Sequence, residues 1–213
     1  MRLKKKFTTL TKDTRLYGLE FPIIGLTGGI ATGKSLASDY LSDRGYNVIC
    51  ADTLVKKIYS KKESISFIKK EFPESIKNQF IDFKKLRSLF FSSEEIKKKI
   101  EDFIYSQMPQ QFELAVEKLN NPRYIFYDVP LLFEKKLETK VDLSICIYAP
   151  FDLQKERLLK RDQINENLAN EIIRSQIDIE RKKELATFSI DNTKSKENFI
   201  ENLDECLKKV FSN

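Results

Sequence analysis

The sequence contains no histidine in 213 residues, and that absence removes one mechanistic class at once. Any general base must be Asp, Glu, Lys, Tyr or Cys. Cysteine is scarce too: Cys50, Cys146 and Cys206 lie far apart, with no paired spacing. This argues against a zinc site and against a disulfide framework, and a reducing cytoplasm is the expected location. No apolar run approaches the length of a membrane span. The opening segment MRLKKKFTTLTKDTRLYGLE is basic but lacks the apolar stretch and small-residue cleavage site of a signal peptide. It is expected to be an extension, residues 1–20, ahead of one domain over 21–213. Internal repeats and low-complexity linkers are missing as well.

What is present describes a globular chain. Hydrophobic residues make up 41% and charged residues 33%, a composition that can bury a core. Lys plus Arg number 38 against 32 for Asp plus Glu, a net charge of +6. The excess suits anionic small molecules and is too diffuse to call for nucleic acid. Neither nucleic acid nor membrane is an expected partner, and nothing in the sequence marks an oligomeric interface.

Five segments rich in β-branched and aromatic residues read as buried strands: IIGLTG, YNVICAD, YIFYDVP, VDLSICIYAP and TFSIDN. Helical patterns separate them. Strand–helix alternation of this kind predicts an α/β fold: a five-stranded parallel sheet between two layers of helices. The first helix presents Leu36, Ala37, Tyr40 and Leu41 on one face and ends at Gly45. Two excursions interrupt the alternation. Residues 54 to about 120 are mostly helical, with a capping box predicted at Ser92–Glu95. Residues 151 to about 186 carry many Lys and Arg and resemble a lid.

One motif carries chemistry. Gly28-Gly29-Ile30-Ala31-Thr32-Gly33-Lys34-Ser35 satisfies the P-loop pattern, directly after an apolar strand and before an amphipathic helix. Such a loop turns backbone N–H groups inward, and the helix that follows adds its positive end. The backbone from Gly29 to Leu36 is therefore predicted to cradle the phosphates of ATP. Lys34 can reach the β- and γ-phosphates, and Ser35 offers a hydroxyl to Mg²⁺. Asp52 and Asp128 each close a predicted strand, where ligands of open α/β sheets sit. Either could act as general base or metal acceptor; either could also be an ordinary helix cap. Phosphoryl transfer to an alcohol, hydrolysis and a nucleotide-driven switch all fit these parts, and a lid-like excursion favours a small-molecule kinase.

Five landmarks, in order, make the chain resemble the dephospho-coenzyme A kinase family across roughly residues 21–192. They are GLTGGIATGKS, VICADTLVKKIY, DVPLLFE (Asp128 to Glu134), QKERLLKRD (Gln154 to Asp162) and SIDN (Ser189 to Asn192). The resemblance implies a P-loop kinase that passes the γ-phosphate of ATP to the ribose 3′-hydroxyl of dephospho-coenzyme A. It makes Asp52 the catalytic carboxylate, acting with Lys34, which leaves Asp128 with Ser35 as the expected groups for Mg²⁺. Arg157, Arg161 and Lys182 become ATP-binding cations of a lid. Lys56 and Tyr105 join Asp52 in holding the acceptor, within a helical coenzyme A-binding insert. Three positions depart from the family: Cys50 replaces an Asp, Lys56 an Arg, and Tyr105 a His, all on the acceptor side. A nucleoside or nucleotide kinase, or a catalytically silent nucleotide-binding regulator, are the alternatives.

Overall fold

The computed structural model describes residues 1–212 and divides into two compact units, one of residues 1–49 with the chain from 121 onward, the other Cys50–Asn120. In the first unit, strands β1 (Ile23–Gly28), β2 (Val48–Cys50, at the boundary), β3 (Ile125–Asp128), β4 (Leu143–Tyr148) and β5 (Phe188–Asp191) form one sheet in the order β2-β3-β1-β4-β5. Pairing is parallel, with Ile23 opposite Ile125, Ile24 opposite Leu143 and Ile147 opposite Ile190. The P-loop kinase-like α/β sheet predicted from the sequence is present. Every residue of β1 is buried, as befits a central strand covered on both faces.

On one face, Ile24 and Leu26 of β1 pack with Ala37 and Leu41 of helix α1 (Lys34–Asp43) and with Phe199, Leu203 and Leu207 of the C-terminal helix (Lys196–Val210). The alternation of strand side chains puts Gly25 on the opposite face, where the methyls of Leu132 lie close enough to crowd a Cβ. There Cys146 and Tyr148 meet Ile179 of a short helix, Ile179–Leu185.

The first twenty residues precede the sheet in sequence but pack as part of this unit. Arg2–Leu3 pairs antiparallel with Phe211–Ser212, and Leu3 and Phe211 enter the main core. Phe7 meets Phe188 edge-on at 5.6 Å. Buried Arg15 spans Asp142 with Nε 2.7 Å from Oδ2 and Nη2 2.8 Å from Oδ1.

The second unit is helical: α2 (Ala51–Tyr59), α3 (Lys62–Glu71), α4 (Phe83–Phe90) and α5 (Glu94–Val116), with a small hairpin pairing Ile76–Lys77 and Phe80–Ile81. Its core is a stripe at helical spacing, Ile100, Ile104, Met108 and Phe112 of α5, joined by Leu54, Ile58, Ile68 and Leu86, all buried. Phe67 stacks on Phe103 with centroids 4.0 Å apart. Two sequence expectations are corrected here. Strand β2 stops at Cys50, so Asp52 lies in the first turn of α2 and does not close a strand. The α5 cap is Ser93, whose hydroxyl accepts from Glu95 N at 3.2 Å, one residue later than the predicted box.

In the first unit the chain continues through α6 (Phe151–Asp162), α7 (Glu166–Arg174), α8 (Ile179–Leu185) and α9 (Lys196–Val210). The basic excursion is thus three helices between β4 and β5.

Candidate active site

The phosphate loop leaves β1 at Gly28 and enters α1 at Lys34, as the glycine spacing requires. Gly33 has φ +100, and a Cβ there would run into the side-chain amide of Asn192. At Gly28 a Cβ would lie 2.6 Å from Thr32 Oγ1 and 2.7 Å from the Ile147 carbonyl oxygen. Both glycines therefore answer steric limits and not merely flexibility. Ala31 also takes a left-handed backbone, φ 58, a conformation that costs an L-residue about 1–2 kcal/mol. Surrounding bonds hold it: Thr32 Oγ1 donates to Gly29 O at 2.9 Å, and Asn192 Nδ2 donates to Thr32 O at 2.7 Å.

Lys34 heads α1, and its Nζ is ion-paired with Asp128 Oδ1, both side chains largely buried. Ser38, one turn further, donates its hydroxyl to Asp128 Oδ2 at 2.6 Å. Asp128 is thus gripped through both oxygens by the helix that the loop opens. Ser35, beside Lys34, is exposed. Leu36 packs against the main core and supplies its backbone to the first turn.

The basic residues separate into different roles. Arg157 is half-buried; its Nη2 donates to Asn192 O at 2.8 Å, while Nη1 is buried with no hydrogen-bond partner. Arg161 is exposed and paired with Asp162, Nε to Oδ1 at 2.7 Å. Lys182 corrects the sequence expectation. Its side chain is 0% exposed, with Nζ 2.7 Å from Glu134 Oε1, 2.9 Å from Pro130 O and 3.4 Å from Gly28 O. A fully buried ammonium needs such partners. Lys182 supports the root of the loop and the segment after Asp128 from inside the unit, and is not a mobile surface cation.

Asp52, Lys56 and Tyr105 belong to the second unit. Asp52 and Lys56 are exposed on α2, four residues apart and so on one helix face. Tyr105 is 44% exposed on α5. Pro109, within that helix, has no N–H to offer the carbonyl of Tyr105. Cys50 is half-buried at the end of β2 with a free thiol.

Residues 22–198 match the sequence model of a family described as dephospho-CoA kinase. The chain belongs to the dephospho-CoA kinase family. A dephospho-CoA kinase of Fusobacterium nucleatum is 36% identical over 190 residues, covering 88% of this chain and 94% of that one. Among solved structures, TT1252 from Thermus thermophilus aligns with a TM-score of 0.82 at 28% identity, over 91% of this chain and all of that one. The dephospho-CoA kinase from Campylobacter jejuni aligns with a TM-score of 0.61 at 28% identity, over 88% and 96%.

Seen beside the family motifs, the supports of the loop come from residues not singled out as site residues in the sequence. Glu134, at the end of the PLLFE run, pairs with Lys182 and accepts from Ile177 N at 3.1 Å. Gln154, 1% exposed at the head of the QKERLLKRD run, lies against Gly29 and donates to Ala149 O at 3.0 Å. Asn192 closes SIDN and braces Thr32. All three lie within the family's motifs, so the resemblance points to them. Gln176, whose Oε1 accepts from Ile30 N at 2.8 Å, sits in no such run.

Proposed function

We propose that the protein transfers the γ-phosphate of ATP to the ribose 3′-hydroxyl of dephospho-coenzyme A, giving coenzyme A, the last step of coenzyme A biosynthesis. The observation that carries this reading is the phosphate loop with Lys34 and Asp128 joined at its mouth, in a chain that matches the family over residues 22–198. The backbone amides between Gly29 and Leu36, apart from that of Ile30, which donates to Gln176, and the positive end of α1 receive the phosphates. Lys34, whose ammonium pairs with Asp128 in this structure, takes the β- and γ-phosphate oxygens. Arg157 brings a buried donor without a partner, which a phosphate oxygen or adenine acceptor would satisfy. Arg161, exposed one helical turn further along α6, adds charge to the same nucleotide.

Asp52 accepts the proton of the 3′-hydroxyl as the phosphoryl group arrives. A carboxylate suffices because a loose, dissociative transition state asks little of the base. Lys56, one turn on, and Tyr105 hold the acceptor; Lys in place of Arg keeps the charge and gives up the bidentate fork.

The donor set fits Mg²⁺. Ser35 supplies an exposed hydroxyl and Asp128 a carboxylate, both hard oxygen donors. That is the pattern for a cation held by one or two protein oxygens, substrate phosphates and water. When bound, the cation would supply neutralisation of the charge developing on the phosphates. No helix among the described residues is long and apolar enough to cross a membrane, and three free cysteines suit a reducing cytoplasm.

The test is ADP production with Mg-ATP and separate acceptors: dephospho-coenzyme A, common nucleosides and nucleoside monophosphates. Mass spectrometry asks for coenzyme A. Coenzyme A from dephospho-coenzyme A alone is expected; ADP formed faster with a nucleoside or nucleotide, or ATP bound with no transfer, overturns the reading.

A further inference from the structure

Most bonds that brace the phosphate loop end on its carbonyl oxygens. Asn192 donates to Thr32 O, Thr32 Oγ1 to Gly29 O, and Lys182 Nζ to Gly28 O. One is of opposite polarity: the side-chain carbonyl of Gln176 accepts from the amide of Ile30 at 2.8 Å across 146 residues of sequence. In a loop whose task is to aim N–H groups at phosphate, fixing the Ile30 amide fixes the plane of the Gly29–Ile30 peptide, one peptide ahead of left-handed Ala31.

Gln176 is itself well anchored. It sits in the connection between α7 and α8, where its own N donates to Ile173 O at 3.2 Å. The next residue, Ile177, donates N–H to Glu134, which is paired with buried Lys182. Asp178 then caps α8 by accepting from Glu180 N at 2.8 Å. Ile30 and Ala31 meanwhile pack their side chains on Leu158, Ala169 and Ile173 of α6 and α7. Gln154 and Gln176 line the same cavity of about 390 Å³, next to Gly29 and Ile30 respectively.

We propose that Gln176 is a positioning residue of the phosphotransfer site, its carbonyl oxygen orienting the Ile30 amide and so setting the first half of the loop for ATP. The proposal rests on the ATP-binding reading of the loop and not on the identity of the acceptor. Gln176 touches the loop and is not assigned a contact with either substrate.

The experiment compares wild type with Gln176→Met, which keeps length and loses the acceptor oxygen, and Gln176→Glu, which keeps an acceptor oxygen but adds charge near the phosphates. ATP affinity, measured by calorimetry without acceptor, is read beside KM for ATP, KM for the acceptor, kcat and the thermal midpoint. Gln176→Met is expected to weaken ATP binding and raise its KM three- to tenfold, with the acceptor KM and thermal midpoint nearly unchanged. Gln176→Glu is expected to show a deficit at neutral pH that narrows as pH falls through the carboxyl range, because protonation removes the added charge while an oxygen still accepts from Ile30. Unchanged ATP affinity in Gln176→Met overturns the proposal, as does a lowered thermal midpoint with a normal KM for ATP. Equal, pH-independent deficits in both variants also overturn it. Failure of wild type to make coenzyme A would reject the assigned reaction while leaving the ATP-affinity comparison intact.

Discussion

Arg15 and Asp142 form a two-pronged ion pair across 127 residues of sequence, with side chains 5% and 0% exposed. Further bonds surround the pair: Arg15 also donates to Leu19 O and Leu10 O, and Asp142 Oδ2 accepts from Ile23 N at 2.8 Å. The pair thereby holds the N-terminal segment against the first residue of β1. Removing one partner leaves a buried charge uncompensated, which typically costs about 3–5 kcal/mol. Arg15→Met is therefore expected to lower the unfolding free energy by that order in urea titration. The double variant Arg15→Met with Asp142→Leu should regain much of the loss. Arg15→Met matching wild type would mean the pair is not holding the segment.

Asp52→Asn tests the base. The exposed carboxylate on α2 makes no contact that the fold depends on, so stability should hold. Turnover should fall by about a hundredfold or more, the scale of general-base loss, while ATP affinity stays within about twofold. Equal loss of turnover and ATP binding would remove Asp52 from its assigned role.

Lys34→Ala takes away the partner of Asp128 Oδ1 as well as the phosphate contact. The expected result is a drop in kcat/KM for ATP of roughly a hundredfold, the scale for one preorganised donor to developing charge. Unchanged steady-state kinetics would count against the loop as the nucleotide site.

Thiol chemistry and alkaline stability follow from burial. Cys146 and Cys206 are each pushed up to about 12 from an ordinary 9.0, chiefly because burial disfavours the thiolate. In the native protein at pH 8 a thiol reagent should modify Cys50, which is partly exposed, and spare the other two until denaturant is added. Groups raised in the folded state ionise first in the unfolded chain. Their stabilising effect is complete below about pH 9 and declines as pH rises toward 12. Tyr148 adds to this at higher pH, raised to about 12 first by its hydrogen bond to Glu180 and then by burial. Urea midpoints at pH 8, 9.5 and 10.5 should therefore fall in that order; a flat series would contradict the burial argument.

How far the sequence reached depends on the range of the interaction. The phosphate loop was legible because glycines, Lys34 and Ser35 are neighbours, and the strand before them is apolar throughout. Asp128 at the end of β3 was legible for the same local reason. Asp52 was misplaced in secondary structure because Ala51, a strong helix former, starts α2 directly after the short β2. Lys182 read, through the family resemblance, as an ATP-binding cation of the lid. Its burial is set by Glu134, Pro130 and Gly28, which come from other parts of the chain. Gln176 and the Arg15–Asp142 pair carry no local signal; each is defined by a partner more than 100 residues away.

The short ladder of Arg2–Leu3 on Phe211–Ser212 has a topological consequence. Lys4 N donates to Val210 O at 3.0 Å and Lys4 Nζ to Lys208 O at 2.9 Å, so positions near 1 and 212 are spliced by hydrogen bonds. Each of the two segments is the pairing partner of the other, although they lie more than 200 residues apart in sequence. Trimming either arm would in turn loosen its opposite number.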